Sequence, residues 1–535
     1  MNGNAEEKGN GNIVNNVAMV ISIFTITVGV LFKEKFLDYM TRLFTVLSGS
    51  FNWVYLIVVA GYVAFLLYLA LSQYGAVKLG PDDSEPEFSL YSWIAMLFSI
   101  SLGVGIVFFG VYEPVYHFYN PPHMAPATPE AAAWSMQVMF LHWGFHPWAV
   151  YAFTGLGMGY FTMRRGRPLL VSSMLEPLLD GKKCRLTVEH GVDIWIVFLT
   201  IIGLASAFGM ACSQIAAGLS NVFGTPNTFT MYLAVNAFMA VIYIYTCMTG
   251  VDKGIKIVSD INLGLAIFLL LSVFFMGPTI KIIQIMVSSF GNYMQRFIQD
   301  SLYMNPFDSK FGDWHQWWTI FYWAWWCSWG AFCGSFIARI SRGRTIRQFV
   351  FGAMGIPPLV LFLWFSVFGG TGITFLLENP DHALKTIVEA DKSMVHFEFL
   401  KFLPFSKFYS ILSIVLLFTF MITSANSGTY VLGTLSSNGT LQPPKKRLLV
   451  WGVLLAATAA IIYRAGGIQG LQMAALCVTF PYQFLTIAIM VSILIALRKH
   501  ELPRLREQAA LRVDGPLVVE NRSTVLVVEE AERRK

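Results

Sequence analysis

Charge is scarce in this chain. Only 13% of its 535 residues are Asp, Glu, Lys or Arg, about half the share of soluble domains. That scarcity excludes the string of soluble domains that length alone would suggest. Cysteine is equally uninformative: Cys184, Cys212, Cys247, Cys327, Cys333 and Cys477 are scattered. No pair has metal or redox spacing, so they read as inert packing thiols. The opening residues, MNGNAEEKGNGN, lack the basic start and small-residue cleavage site of a signal peptide, so the first apolar run is expected to be retained as a membrane helix. The net charge is +6, yet its lysines and arginines fall between apolar runs. No basic-aromatic patch stands outside those runs, which argues against a nucleic-acid partner. Low-complexity repeats are absent.

Apolar length is what the chain has: 56% of it is hydrophobic and its mean hydropathy is +0.59. Runs long enough to span a bilayer, about 20 residues each, fall at 14–32, 52–73, 89–112, 132–161, 193–221, 228–249, 259–279, 314–339, 346–376, 407–435, 446–463 and 468–497. Those twelve predict an all-α membrane protein. Loop charge agrees with the count. Basic residues crowd the even connections (Arg164, Arg165, Arg167, Lys182 and Lys183 in the fourth, Arg339, Arg342, Arg344 and Arg347 in the eighth), whereas the third and fifth have none. The positive-inside rule then puts both termini in the cytoplasm, in a multi-pass cell-membrane protein. Residues 281–304 differ: Ile283, Met286, Phe290, Met294 and Phe297 recur at helical spacing among Asn292, Gln295 and Gln299. This predicts an amphipathic helix along the outer surface, or a subunit contact. In the tail, 498–512 reads as a short cytoplasmic helix, with a solvated end beyond.

Three stretches carry candidate chemistry. Seven of fifteen tryptophans lie between Trp314 and Trp329. Tryptophan normally collects at the membrane edge, so Trp323, Trp325, Trp326 and Trp329 in mid-span need a reason. One is an aromatic box for a cation without hydrogen-bond donors, and the other is bulky packing. The third run holds SLGVGI, whose Ser101, Gly103 and Gly105 suit either close helix approach or an unwound segment whose amides meet a ligand. Glu113–Pro114 then reads as the outer end of that span. The fourth run holds HWGFHPWAVY: Trp148 and Tyr151 share a helix face, and Pro147 is expected to kink the helix and swing Trp143 toward them. His142 and His146 are four apart, but no third ligand is evident, so satisfied core histidines are the better reading. The tenth run holds Thr419, Thr423, Ser424, Ser427 and Thr429, hydroxyls that bond back to their own helix or serve an alkali cation.

WTIFYWAWW at 318–326, continuing into ARISRGRTIR, resembles the signature of the betaine/choline/carnitine transporter (BCCT) family. SLGVGI, FGVYEP, HWGFHPWAVY and TSANSG occur in that family's order. Trp317 departs from it, where the family usually has a small or polar residue. The resemblance, covering about 45–497, implies a LeuT-like five-plus-five inverted repeat preceded by two extra helices: a cytoplasmic N-terminus at 1–13, two peripheral helices at 14–73, repeats at 89–279 and 314–497, the surface helix at 281–304 and a tail at 498–535. It implies a substrate box of Trp143, Trp148, Tyr151 and Trp326 with Trp325 beside it, Phe321 and Trp329 on the inner release path, and Tyr116 as a further box residue of the carnitine branch. The amides near Ser101 and Gly103 would face a substrate carboxylate. No cofactor is implied beyond a coupling sodium ion, held by Thr423 and Ser424 hydroxyls and the carbonyls of Ser99, Leu102 and Phe420. The chain lacks the arginine that sodium-independent exchangers carry at the place aligned with Asn262, and it has Gly105 where proton-coupled choline carriers tend to have aspartate. The resemblance therefore implies sodium symport of glycine betaine, carnitine or a related betaine, an osmoprotective role, and a homotrimer joined through 281–304 in contact with membrane lipid. Substrate:product exchange and proton-coupled choline transport are the alternatives. A membrane-embedded enzyme is disfavoured because His142, His146, Asp193 and Asp260 are too dispersed to form a centre.

Overall fold

Inside a bilayer every backbone group must bond within the protein, and helices do so segment by segment. The computed structural model describes the backbone of residues 2–101, 103–249 and 252–513, with side chains over 12–99, 103–249 and 257–507. Among the described residues there is no β-strand, only an isolated bridge between Lys78 and Thr345. Eight helices among them are each long and apolar enough to cross a membrane: Asn12–Leu31, Asn52–Leu71, Arg185–Phe223, Phe229–Thr249, Ile257–Met276, Ile346–Glu378, Ser406–Leu435 and Lys445–Glu507. The bent pair Leu90–Ser99 and Val104–Tyr119 makes a ninth span. The other predicted runs are helical too, but broken or fused. The fourth is split into Pro129–Trp143 and Phe145–Gly159. The eighth is divided among Ser309–His315, Gln316–Ile320, Phe321–Ser328 and Gly330–Ile340. The last two share the helix Lys445–Ala496, which breaks at Gly466 and Gly467.

The breaks follow from particular residues. Span three bends by 59° where Gly103 is extended, with φ −163°. In span four the break is at Gly144, one turn earlier than the predicted kink at Pro147. A Cβ on Gly144 would stand 2.2 Å from the Phe140 carbonyl oxygen, so no other residue fits there. Pro147 lies in the first turn of Phe145–Gly159, where a missing N–H leaves no bond unmade. Glu113–Pro114 does not end span three. The helix continues to Tyr119, with Glu113 completely buried.

The helix Thr279–Ser301 caps the second break. The Tyr293 hydroxyl accepts the Phe145 N–H (3.1 Å) and faces His146 Nδ1 (3.3 Å), while His146 Nε2 meets Ser301 Oγ at 2.6 Å. The expected amphipathic helix is thus present, but the face packed onto the chain is Ile282, Ser289, Tyr293 and Ser301, rotated from the predicted one. Ile283, Phe290 and Met294 of the predicted face are exposed, in a stripe with Ile280, Val287 and Ile298. One helix was not anticipated. Lys33–Ser50 follows span one and buries Phe44, Leu47 and Ser48. Phe44 meets Trp317 with centroids 4.4 Å apart. The described residues from Leu494 onward belong to a separate compact unit that includes the helix Leu502–Val513, in the region expected to be helical. Residues 514–535, read as a solvated end, lie outside the described residues.

Candidate functional site

The breaks in spans three and four and the tryptophan helix of span eight meet at one cavity of about 870 Å³. Gly103, Val104, Gly105 and Ile106, the start of the half-helix Val104–Tyr119, form one wall. The amides of this first turn and the helix dipole make that wall electropositive. Trp143, Trp148 and Tyr151 come from either side of the Gly144 break, and Trp325, Trp326 and Trp329 from span eight. The rings stand nearly at right angles, like sides of a box. Trp143 and Trp326 have centroids 4.8 Å apart at 80°, Tyr151 and Trp326 6.0 Å at 88°, and Trp148 and Tyr151 5.4 Å at 87°.

Polar partners behind the box fix three of these indoles. Trp326 Nε1 donates to the His142 carbonyl (3.0 Å) and Trp325 Nε1 to Ser206 Oγ (3.1 Å). Trp143 Nε1 donates to Glu113 Oε2 (3.0 Å). Their N–H edges are thereby engaged away from any ligand, and a cation in the box would meet π faces. Gly105 is required here. A Cβ on it would lie 3.0 Å from Trp143 Cη2 and 3.3 Å from Trp325 Cη2.

Of the residues proposed for sodium, Ser99, Phe420, Thr423 and Ser424 line the same cavity. Thr423 Oγ1 donates to the carbonyls of Thr419 (3.1 Å) and Phe420 (2.9 Å), which leaves its lone pairs for a cation. Leu102 lies outside the described residues, as does the side chain of Ser101. Asn262 was not picked out as a ligand, although it lines the cavity. Its side chain is 2% exposed, and both amide atoms lack a partner among the described residues.

Two predicted substrate-site residues, Phe321 of the release path and Tyr116 of the box, are not among those lining the cavity. Phe321 is completely buried and stacks on Trp325 (5.6 Å, 17°), so it backs the box and does not line a release path. Tyr116 stacks on Trp318 (4.9 Å) in a second pocket of about 270 Å³ with Tyr119, Trp314 and Trp317. It lies one turn beyond Tyr112 on the half-helix, which carries its ring away from Trp143. At the outer end of span eight Trp314 and Trp318 are buried and do not face lipid, because Tyr116, His117 and Trp134 pack over them.

Histidine pairing also differs from the spacing argument. His146 turns to Tyr293 and Ser301, whereas His142 joins Glu113 and His117, whose ligand atoms all lie within 4.8 Å of one another. The third group that sequence reasoning missed is therefore Glu113, recruited across two spans. These atoms are already bonded together. Trp314 Nε1 donates to His117 Nδ1 (3.1 Å) and Thr319 Oγ1 meets His142 Nε2 (2.9 Å), so both nitrogens of each ring are occupied.

A helical bundle with two spans broken at one buried cavity, walled by crossed aromatic rings and a half-helix N-terminus, is the architecture of a secondary transporter. Residues 13–502 match the model of the BCCT, betaine/carnitine/choline family transporter. The chain is 38% identical over 471 residues to the glycine betaine transporter OpuD of Bacillus subtilis, covering 88% of this chain and 90% of that one. It is likewise 38% identical to the ectoine/hydroxyectoine transporter of Virgibacillus pantothenticus over 499 residues, 92% and 98% of the two chains. A glycine betaine transporter of Acinetobacter baylyi is 38% identical over 490 residues, 91% of this chain and 73% of that one. The chain belongs to the betaine/carnitine/choline transporter family. It is a multi-span membrane transporter, not an enzyme.

Proposed function

We propose that the protein imports glycine betaine or a related betaine such as carnitine across the cell membrane by sodium symport, with alternating access and both termini in the cytoplasm. The observation that carries this is the crossed box of Trp143, Trp148, Tyr151 and Trp326 opposite the electropositive start of Val104–Tyr119. A methylated ammonium has no N–H to donate, so ring faces are its natural partners, each contributing about 0.5–2 kcal/mol when dry. A carboxylate at the other end of the substrate suits the half-helix amides. The cavity runs on to Phe336 and Arg339, on the side that loop charge assigns to the cytoplasm, as suits release inward. Sodium fits the hydroxyls of Thr423 and Ser424, and among the described residues no acid lines the cavity to serve as a proton carrier. The exposed apolar stripe on Thr279–Ser301 suits a contact within a homotrimer or with lipid.

Uptake into proteoliposomes tests the reading. Labelled glycine betaine, carnitine, choline and ectoine are offered with a sodium, potassium or proton gradient, with and without internal substrate. The expected result is concentrative uptake of a betaine driven by sodium. The double variant Thr423→Ala with Ser424→Ala should raise the sodium concentration for half-maximal uptake at least about tenfold, the loss of two ion-ligand oxygens. Uptake that ignores sodium and requires internal substrate would establish exchange instead.

A further inference from the structure

Glu113 is a carboxylate buried at 0% exposure in the half-helix Val104–Tyr119, and four donors converge on it. Oε1 accepts from His142 Nδ1 (2.6 Å) and His117 Nε2 (3.4 Å), and Oε2 accepts from Trp143 Nε1 (3.0 Å) and from the Tyr322 hydroxyl. The proton positions follow from the outer partners. Trp314 can only donate, so His117 Nδ1 is the acceptor and its proton sits on Nε2. The Thr319 hydroxyl serves His142 Nε2, which leaves the Nδ1 proton for the carboxylate. His117 is therefore neutral, and no Lys or Arg stands among the described partners of the carboxylate. A carboxylate at this depth with no Lys or Arg beside it is costly and calls for a purpose.

Its place supplies one. Trp143 reaches from Gly105, where its Cη2 would lie 3.0 Å from an added Cβ, to Glu113 at its N–H edge. One indole therefore separates the carboxylate from the cavity. The same half-helix carries a positive end at Gly103–Val104 and a negative charge nine residues on, about 13 Å of helix rise.

We propose that Glu113 is the counter-charge of the substrate's quaternary ammonium group, acting through Trp143 as a positioning and charge-selecting residue. Its hydrogen bond draws electron density into the indole and makes the face toward the box more negative. Its charge also reaches the box across a ring instead of water, where screening is weak. The head group is thereby selected for its charge as well as for its shape. This inference rests on the transport reading above.

The test compares glycine betaine with 3,3-dimethylbutyrate, which has the same shape and carboxylate but an uncharged carbon in place of nitrogen. Dissociation constants are measured on the purified full chain by titration calorimetry, with competition for the weaker ligand. In Glu113→Gln the preference for the charged ligand should fall about tenfold, the order of one screened charge across a ring. In Glu113→Asp it should stay within about twofold, even where both affinities weaken. A purely architectural Glu113 would weaken both ligands alike and leave the ratio in place. An unchanged ratio in Glu113→Gln, or a collapsed ratio in Glu113→Asp, overturns the inference, and Glu113→Ala, which also removes the charge, takes the place of the Gln variant if that one does not fold. Wild-type protein that fails to bind glycine betaine overturns the transport reading together with this one. Wild-type protein that binds it while the ratio ignores Glu113 overturns this one alone.

Discussion

Gly105→Ala is the smallest change that tests whether the cavity's rings are held as closely as their geometry implies. The added methyl would stand 3.0 Å from Trp143 Cη2, 3.5 Å from its Cζ3 and 3.3 Å from Trp325 Cη2. Carbon atoms rest about 3.5–4.0 Å apart, so at least one indole must retreat by several tenths of an ångström. Neither has free room. Trp143 is tied to Glu113 and faces Trp326 and Phe365, each at 4.8 Å. Trp325 is tied to Ser206 and stacks on Phe321. Overpacking of this kind costs about 1–3 kcal/mol, divided between fold stability and the geometry of the box. The expected outcome is a KM for uptake raised about five- to hundredfold, with a lowered melting temperature in detergent. Gly103→Ala is the steric control, because no described residue lies within 4 Å of its added methyl and φ is −163°, so its melting temperature should be unchanged. Trp143→Phe removes the atoms that clash, so the double variant should lose less stability than the sum of the two single changes. A Gly105→Ala protein with wild-type KM and melting temperature would refute the close-fit reasoning.

Trp326→Leu removes one full face of the box and should raise the dissociation constant for glycine betaine at least about tenfold. Tyr116→Leu, altering the separate outer pocket, should leave it within about threefold; equal losses in binding calorimetry would return Tyr116 to the site. Lys392 lies between the helices Leu384–Ala390 and Val395–Leu400 with its ammonium over the Tyr112 ring at 5.7 Å. Burial pushes its pKa down from 10.5 to about 8. Between those values the unfolded chain binds the proton that the folded one has released, so stability rises with pH from about 8 toward 10. Melting curves across that window should climb more steeply for the wild type than for Lys392→Met. Parallel curves would show that the ammonium is solvated.

Half of the site was readable in one dimension because its residues break local rules. Tryptophan in mid-span contradicts its preference for the interface, and the alternation of small residues around Gly103 contradicts a continuous apolar helix. Both anomalies landed on the cavity wall. Where a residue has an ordinary local meaning, that meaning misled. Pro114 was read as the end of span three, yet its ring packs against Gly369 of Ile346–Glu378, where an added Cβ would lie 2.7 Å away. The proline is housed by a neighbour's missing side chain, and the helix runs on. The same misreading removed Glu113 from the membrane interior and hid a carboxylate beside the box. Tyr116 shares the helix face of Gly105 but lies about three turns further on, which sets it beside Trp318 and outside the cavity. His142 and His146 share a helix spacing, yet the break at Gly144 lies between them and sends each ring to a different partner. Local pattern reports what one helix can do, whereas the partners of Glu113 come from three spans, and no spacing within any one of them could have announced the assembly.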